Sequence, residues 1–225
     1  MTPGPLTAAR VTSLAEAESS APLRNRVTPA GDLIATPRRG TMLGNRGVLH
    51  DDDRTIVRRA QARRWIVCEL DFRGRRRSVM APSRYTELFF LDEAVAFAAG
   101  HRPCAQCRYR DYQSFRSCWA ESEDLSTLPG ADDIDAVLHA ERVLVDGRRR
   151  TRPSPASDLP DGVFFDWEGE FWVTSAGSMS RWSPGGYVDR RPLVDAAVPV
   201  LTPQPTVETM RAGYRPGVHP SGEQR

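Results

Sequence analysis

The sequence contains no lysine, so all 31 of its basic residues are arginine, and 29 acidic residues leave a net charge of +2. It has no apolar run approaching the ~18–20 residues that span a bilayer. Residues 1–22 lack the basic and apolar regions of a secretory signal, which predicts a cytoplasmic protein without a membrane partner. Only four cysteines occur, which excludes a disulfide-stabilised mini-protein. The 225 residues suffice for one sizeable core or for two small domains.

Arginine carries a planar fork of hydrogen-bond donors that suits phosphates and base edges. The arginines are concentrated between residues 58 and 77, and acidic residues are concentrated between 121 and 135. This segregation favours binding of duplex DNA through its phosphates, while a solvated arginine-rich surface is the alternative. The predicted nucleic-acid-binding residues are Arg39, Arg46, Arg75, Arg76, Arg77 and Arg108.

Two of the cysteines form the C-x-x-C motif Cys104-Ala105-Gln106-Cys107, directly after Pro103. In a chain without a secretory signal this motif favours a metal or redox pair over a structural disulfide. A thioredoxin-like redox pair follows a strand, whereas a predicted helix and a glycine turn precede this motif. The motif therefore predicts a zinc site at the start of a helix.

The remaining ligands are less clearly marked. Cys118 lies eleven residues beyond Cys107, which is about 16 Å along a helix and too far to share one ion. Cys68 is the predicted third ligand, with burial as an ordinary core residue as the alternative. The predicted fourth ligand is His139, and His50, His101 or a water molecule are alternatives.

The residue pattern predicts an α+β fold, with a small zinc-stabilised α/β module and a β-rich C-terminal part. Residues 66–72 and 75–80 are predicted to form a hairpin in which Cys68 faces the apolar side. Helices are expected from Asp92 to Gly100, from Pro103 toward Trp119, over 133–143 and over 206–212. Strands are expected over 163–167, 171–174 and 198–202.

Composition also divides the chain into segments. Residues 1–22 and 216–225 are predicted to be disordered tails. Residues 23–145 form the predicted zinc module with its flanking loops, and 162–215 form the β-rich subdomain. The basic, proline- and serine-rich residues 146–161 are the predicted linker between them.

Residues 89–108, FFLDEAVAFAAGHRPCAQCR, combine an aromatic strand, a helix ending in Ala-Ala-Gly, and Arg-Pro-Cys-x-x-Cys. From Trp65 to Arg108 the chain resembles the zinc-binding domain of the bacterial Ada alkylation-repair protein. The resemblance implies a zinc site in a DNA-repair protein, with Cys104 and Cys107 as the second ligand pair. Cys68 would match the family cysteine that accepts methyl groups from DNA phosphotriesters. No cysteine near Phe72 matches the family's fourth ligand, so a different ligand or an open position is expected.

Two other functions remain open. His139-Ala140-Glu141 supplies, with Cys104 and Cys107, the parts of a zinc deaminase in reversed order. The chain would then be a zinc-dependent hydrolase or deaminase of a nucleobase or small molecule, with Glu141 as the catalytic proton shuttle. Glu141 is also about 200° around a helix from His139, which opposes a shared metal. The third hypothesis is an adaptor protein in which zinc only holds the fold.

Overall fold

The computed structural model describes residues 21–74, 78–142 and 149–222. Within these ranges the chain forms two six-stranded sheets and four α-helices. The predicted α+β class is therefore confirmed. No helix in the described ranges is long and apolar enough to cross a membrane.

The first sheet is formed by the N-terminal half of the chain, in the spatial order β2-β1-β5-β3-β4-β6. Its strands are β1 Arg26–Val27, β2 Leu33–Ile34, β3 Met42–Asn45, β4 Ile66–Glu69, β5 Leu88–Phe90 and β6 Arg102–Pro103. β4 pairs antiparallel with β3 on one edge and parallel with β6 on the other. The predicted hairpin between 66–72 and 75–80 is therefore wrong, because both edges of β4 are already paired. Residues 75–77 lie outside the described residues.

The orientation of β4 also differs from the prediction. Val67 is fully buried in the core, whereas Ile66 and Cys68 are only partly buried and Leu70 is 45 % exposed. Side chains alternate across a strand, so Cys68 points away from the core side. The apolar residues around it line a cleft instead.

The first helix, α1 (Glu93–Ala98), is completely buried. It begins at Asp92, whose carboxylate accepts a hydrogen bond from the Val95 backbone N–H at 2.9 Å, as expected for an N-cap. It ends before Gly100, which has a φ of +87° and suits the left-handed end of a helix. Both boundaries match the prediction.

The remaining helices are α2 (Tyr109–Ser122), α3 (Ala131–Arg142) and α4 (Gln204–Arg211). α2 begins later than predicted because Arg102 and Pro103 pair with β4, and the Cys-x-x-Cys segment forms a turn. α3 and α4 agree with the predicted positions to within a few residues.

The second sheet has the order β11-β10-β9-β8-β12-β7. Its strands are β7 Arg152–Pro155, β8 Phe164–Trp167, β9 Glu170–Ser175, β10 Ser178–Ser183, β11 Gly186–Pro192 and β12 Ala197–Val200. The predicted hairpin forms between β8 and β9, with Glu168 and Gly169 at positive φ as a type I′ turn requires. β7 pairs with β12, so this part of the predicted linker is an edge strand of the sheet. Linker residues 146–148 lie outside the described residues.

The two sheets share one apolar core through the helices. Phe97 of α1 contacts Phe115 of α2 and Tyr214 beyond α4, with ring centroids 5.4 and 5.5 Å apart. The Tyr187 hydroxyl of β11 donates to Asp92 at 2.7 Å. Helix α1 therefore links the sheet that carries the cysteines to the C-terminal part of the chain.

Residues 216–222, predicted as part of a disordered tail, pack against the start of α1. The Gly217 N–H donates to Glu93 and the His219 N–H donates to Asp92, each at 2.9 Å. These two buried carboxylates need such donors, which explains why the segment is held. Residues 1–20 and 223–225 of the predicted tails lie outside the described residues.

Gly44 makes the central strand β3 possible. A Cβ at this position would overlap the backbone oxygen of Ile66 and lie 2.9 Å from Cε2 of Phe90. We expect Gly44→Ala to lower the free energy of unfolding by about 1–3 kcal/mol, as overpacking of a core does. Urea unfolding measures this loss. Gly217→Ala is the control, since its nearest atom would be the Glu93 carboxylate at 3.8 Å; equal losses in both variants would contradict the overlap.

Candidate metal centre

Three cysteines converge at one edge of the first sheet. Cys68 lies in β4, and Cys104 and Cys107 lie in the turn that follows β6. Their sulfur atoms all lie within 4.8 Å of one another, close enough to hold one metal ion. The structure thus brings together the three cysteines that the sequence predicted as ligands.

Strand pairing explains this convergence. Val67 of β4 is in register with Pro103 of β6, and the Cys104 N–H donates to the Val67 oxygen at 2.9 Å. Cys68 and Cys104 follow these paired residues on neighbouring parallel strands. The tight turn from Cys104 then returns Cys107 to the same place.

Backbone N–H groups point at two of the sulfurs. The Gln106 N–H lies 3.5 Å from the Cys104 sulfur, and the Cys107 N–H also donates to it. The Glu69 N–H donates to the Cys107 sulfur. Each of these hydrogen bonds favours the thiolate form over the thiol.

The three thiols also act on one another. Hydrogen bonds from Cys107 and then Cys68 lower the pKa of Cys104. The same sharing raises the pKa of Cys68, by its contacts with Cys104 and Cys107, and raises that of Cys107 mainly by its contact with Cys104. The cluster therefore favours one thiolate, to which the other two thiols donate hydrogen bonds. A bound cation would displace the protons of those two thiols.

No described histidine, aspartate or glutamate joins the three sulfurs at this separation. The prediction of His139 as the fourth ligand is wrong, because His139 lies on the exposed side of α3, outside the cluster. Leu138 and Arg142 occupy the buried side of that helix. Cys118, on α2, is also outside the cluster, as its spacing predicted.

The two alternative histidines have other partners. The ring nitrogens of His50 lie 2.6 Å from the Thr86 hydroxyl and 3.2 Å from the Ala81 oxygen. His101 is fully buried, with its Nδ1 3.2 Å from the Ala96 oxygen and its Nε2 accepting from Arg46 at 3.3 Å. Burial and the nearby positive charge of Arg46 lower the pKa of His101 well below its usual value, so this ring is neutral.

The cysteine cluster opens into a cleft of about 790 Å³. Cys68, Cys104 and Cys107 all line it, together with Phe72, which stands where the resemblance expected a fourth cysteine. The other lining residues are Arg39, Leu43, Asn45, Ile66, Glu69, Leu70, Val79, Tyr85, Glu87, Phe89 and Gln106. Small molecules or an extended group can therefore reach the sulfurs from solvent.

Several of these lining residues carried no local sequence signal. Leu43 is paired with Cys68 across β3 and β4, although the two lie far apart in the chain. Glu87 is almost fully buried and accepts from the Met80 N–H at 2.8 Å. Only the pairing of β3 with both β4 and β5 brings these residues to the cleft.

The predicted nucleic-acid-binding arginines divide into three groups. Arg39 is exposed and lines the cleft. Arg46 and Arg108 are buried, the first over the Trp65 ring and the second between Glu93 at 2.6 Å and Asp111 at 2.7 Å. These two predictions are therefore corrected, because neither guanidinium is available to DNA. Arg75, Arg76 and Arg77 lie outside the described residues.

The deaminase-like arrangement is not assembled among the described residues. Glu141 pairs with Arg152 of β7 at 2.8 Å, and neither Glu141 nor His139 lines the cysteine cleft. The helix that carries both residues ends at Arg142, whose buried guanidinium donates to the oxygens of Gly100 and Arg63. Glu141 is thus not positioned as a proton shuttle for the cysteine site.

Comparison of the chain with protein-family models, with curated proteins and with solved structures finds no match.

Proposed function

We propose that this protein is a zinc-containing DNA-binding protein that acts on alkylated or otherwise modified DNA. The observation that carries the proposal is the cluster of three cysteine sulfurs at the wall of an open cleft. The resemblance of residues 65–108 to an alkylation-repair module supports the same function.

Zinc fits the donor set. Cys68, Cys104 and Cys107 offer three thiolates, which suit zinc better than hard cations such as magnesium. Three protein ligands is also the number typical of zinc sites that keep a position for a substrate or water. When bound, zinc keeps cysteine ligands deprotonated at neutral pH.

Cys68 is the residue proposed to react. Cys104 is 8 % exposed, whereas Cys68 and Cys107 are more open and line the cleft. Of these two, Cys68 is the one that the resemblance matches to the methyl-accepting cysteine. Its thiolate would attack the methyl carbon of a DNA methylphosphotriester, forming a sulfur–carbon bond as the carbon–oxygen bond breaks. The phosphodiester leaves with the electron pair, so no proton or redox partner is required.

Exposed arginines support the choice of DNA as partner. Arg39 lies in the wall of the cleft and has no carboxylate within ion-pair distance among the described residues. The chain between β3 and β4 adds further exposed arginines: Arg54, Arg58, Arg59, Arg63 and Arg64. Such side chains can neutralise phosphates on either side of a modified nucleotide.

The test uses the zinc-loaded full chain and duplex DNA treated with a methylating agent. We expect stoichiometric transfer of a single methyl group to Cys68, located by mass spectrometry of the digested protein. Cys118→Ser should transfer normally, because Cys118 lies outside the cluster, while Cys68→Ser should transfer nothing. The logarithm of the binding constant should fall linearly with the logarithm of salt concentration.

Two results would contradict the proposal. Methylation of Cys118 as readily as Cys68 would mean that methyl groups reach accessible thiols without a dedicated site. Zinc-loaded protein that neither binds duplex DNA nor accepts a methyl group would mean that the metal only holds the fold.

A further inference from the structure

A second pocket lies away from the cysteine cleft, between the turn joining β1 to β2 and the loop at residues 56–59. Its volume is about 260 Å³. Four arginines and a single carboxylate line it: Arg24, Arg46, Arg58, Arg59 and Asp32. Neither the cysteines nor any other residue of the first cleft contributes to it.

Gly31 forms part of the pocket wall and fixes its shape. The turn is closed by hydrogen bonds from the Gly31 N–H to the Thr28 oxygen at 2.8 Å and from the Thr28 N–H to the Asp32 oxygen at 2.9 Å. Gly31 has a φ of +88°, which a residue with a side chain rarely adopts. The absent side chain leaves space beside the backbone.

The buried Arg46 guanidinium lies against that space. Arg46 is 2 % exposed, and it donates through Nη1 to the Gly31 oxygen at 2.8 Å and through Nε to His101. Its Nη2 has no hydrogen-bond partner among the described residues. This nitrogen lies 3.6 Å from the point where a Cβ on Gly31 would be. A buried donor without an acceptor is costly, so a negative charge bound beside this enclosed guanidinium would be favourable.

A second arginine, Arg149, adds positive charge close to Arg46. Nη1 of Arg149 is also 3.6 Å from the same point beside Gly31. Neither Arg46, Arg142 nor Arg149 forms an ion pair with a described carboxylate. Burial, followed by the charges of Arg149 and Arg142, lowers the pKa of Arg46 to about 9. An anion in the pocket would offset this repulsion.

We propose that this pocket binds a phosphate-class oxyanion, either inorganic phosphate or the phosphate group of a nucleotide. The enclosed Arg46 guanidinium would attract the anion from beneath the pocket, and Arg58 and Arg59 would contact its oxygens from the rim. Asp32 lies 3.7 Å from Arg59, and both side chains are mostly exposed, so Arg59 can exchange this contact for a stronger one. A tetrahedral anion with several oxygens suits donors that converge from different elements.

The proposal does not depend on the function proposed for the cysteine cleft. The two sites share no residue, although Asn45 of the cleft directly precedes Arg46. Arg58 and Arg59 also belong to the exposed arginines proposed to contact DNA, so the two proposals need separate measurements. Methyl transfer is measured at Cys68, whereas the pocket is tested with free phosphate and without DNA.

The experiment titrates the full chain with inorganic phosphate, and separately with a deoxynucleoside 5′-monophosphate, by isothermal calorimetry at about 0.15 M ionic strength, where exposed charges are screened beyond about 8 Å. Loss of two charge-assisted contacts in Arg58→Ala/Arg59→Ala should weaken binding at least about tenfold. Arg84→Ala/Arg110→Ala removes the same charge from exposed positions outside the pocket and should change binding less than about twofold. Arg46→Met would affect folding as well as binding, because the Arg46 guanidinium packs over the Trp65 ring.

Absence of saturable binding of both probes would overturn the proposal. So would equal weakening in the two double variants, since that would indicate general attraction to a positive surface. If only Arg58→Ala/Arg59→Ala weakens binding, and the parent protein binds both probes with equal affinity, the site is assigned to free phosphate. Selective weakening with at least about tenfold tighter binding of the nucleotide would assign it to a nucleotide phosphate.

Discussion

Replacing Cys104 with serine is expected to remove the metal and to lower the thermal stability of the protein sharply. Cys104 is the most buried of the three clustered cysteines, and two backbone N–H groups donate to its sulfur. A serine hydroxyl stays protonated at neutral pH and its oxygen lies closer to the backbone than the cysteine sulfur, so it does not replace the thiolate ligand. Because structural zinc sites contribute about 10–16 kcal/mol in small domains, losing the site should cost much of the folding free energy. Elemental analysis and thermal denaturation measure both effects.

The control for this variant is Cys118→Ser. Cys118 is half-buried on α2 and lies outside the cluster. It should keep a single zinc ion per chain and the unfolding temperature of the parent protein. Adding a chelator to the parent should reproduce the loss of stability seen in Cys104→Ser. Full zinc occupancy in Cys104→Ser would show that the metal lies elsewhere.

Replacing Asp135 with alanine should be the second large effect, at about 3–5 kcal/mol of unfolding free energy. Asp135 accepts two hydrogen bonds from Arg102, at 3.0 Å from Nε and 2.6 Å from Nη2. Both side chains are at least 96 % buried, so the variant leaves a positive charge enclosed without its partner. Urea unfolding measures the loss directly.

Asp132→Ala is the matched control on the same helix. Asp132 pairs with Arg64 at 3.2 Å, but their side chains are 87 % and 63 % exposed. Exposed pairs of this kind contribute about 0–1 kcal/mol because water screens them. If both variants lower the free energy of unfolding equally, burial does not explain the contribution of the Arg102–Asp135 ion pair.

Asp135 also bears on the metal centre. Arg102 belongs to β6, two residues before Cys104, and its ion pair fixes that strand against α3. We expect Asp135→Ala to weaken zinc binding as well as folding, since the turn that carries Cys104 and Cys107 would lose its support. A loss of zinc affinity larger than the loss of unfolding free energy would mean that the variant mainly disturbs β6. Equal losses would mean that it destabilises the whole fold.

The parts of the structure that were predicted correctly depend on neighbours in the chain. The Asp92 cap and the Gly100 end of α1 follow from residue types within a few positions of the helix. The closeness of Cys104 and Cys107 also follows from their local spacing, although a turn stands where the start of a helix was predicted. Cys68 joins them through the pairing of β4 with β6, which the sequence did not indicate, so its inclusion followed from the resemblance and the number of cysteines.

The wrong predictions concern features that depend on strand pairing between distant parts of the chain or on burial. β4 was assigned the wrong partner and the wrong buried face because β3 and β6 come from distant parts of the chain. Composition could not separate surface arginines from enclosed ones, and Arg46 and Arg102 are among the largest fully buried side chains. Their carbonyl, carboxylate and aromatic partners become visible only in three dimensions.

The contacts at the start of α1 have a consequence for synthesis of the chain. Asp92 and Glu93 are enclosed, and their hydrogen-bond donors include Tyr187, Tyr214, Gly217 and His219. A ribosome that has released only the first half of the chain has supplied the three cysteines but none of these donors. We therefore expect the helix between β5 and β6, and with it the cysteine site, to reach its final packing only when nearly all the described chain has emerged. Binding of a metal ion at the three cysteines should then be completed only after these C-terminal donors have been synthesised.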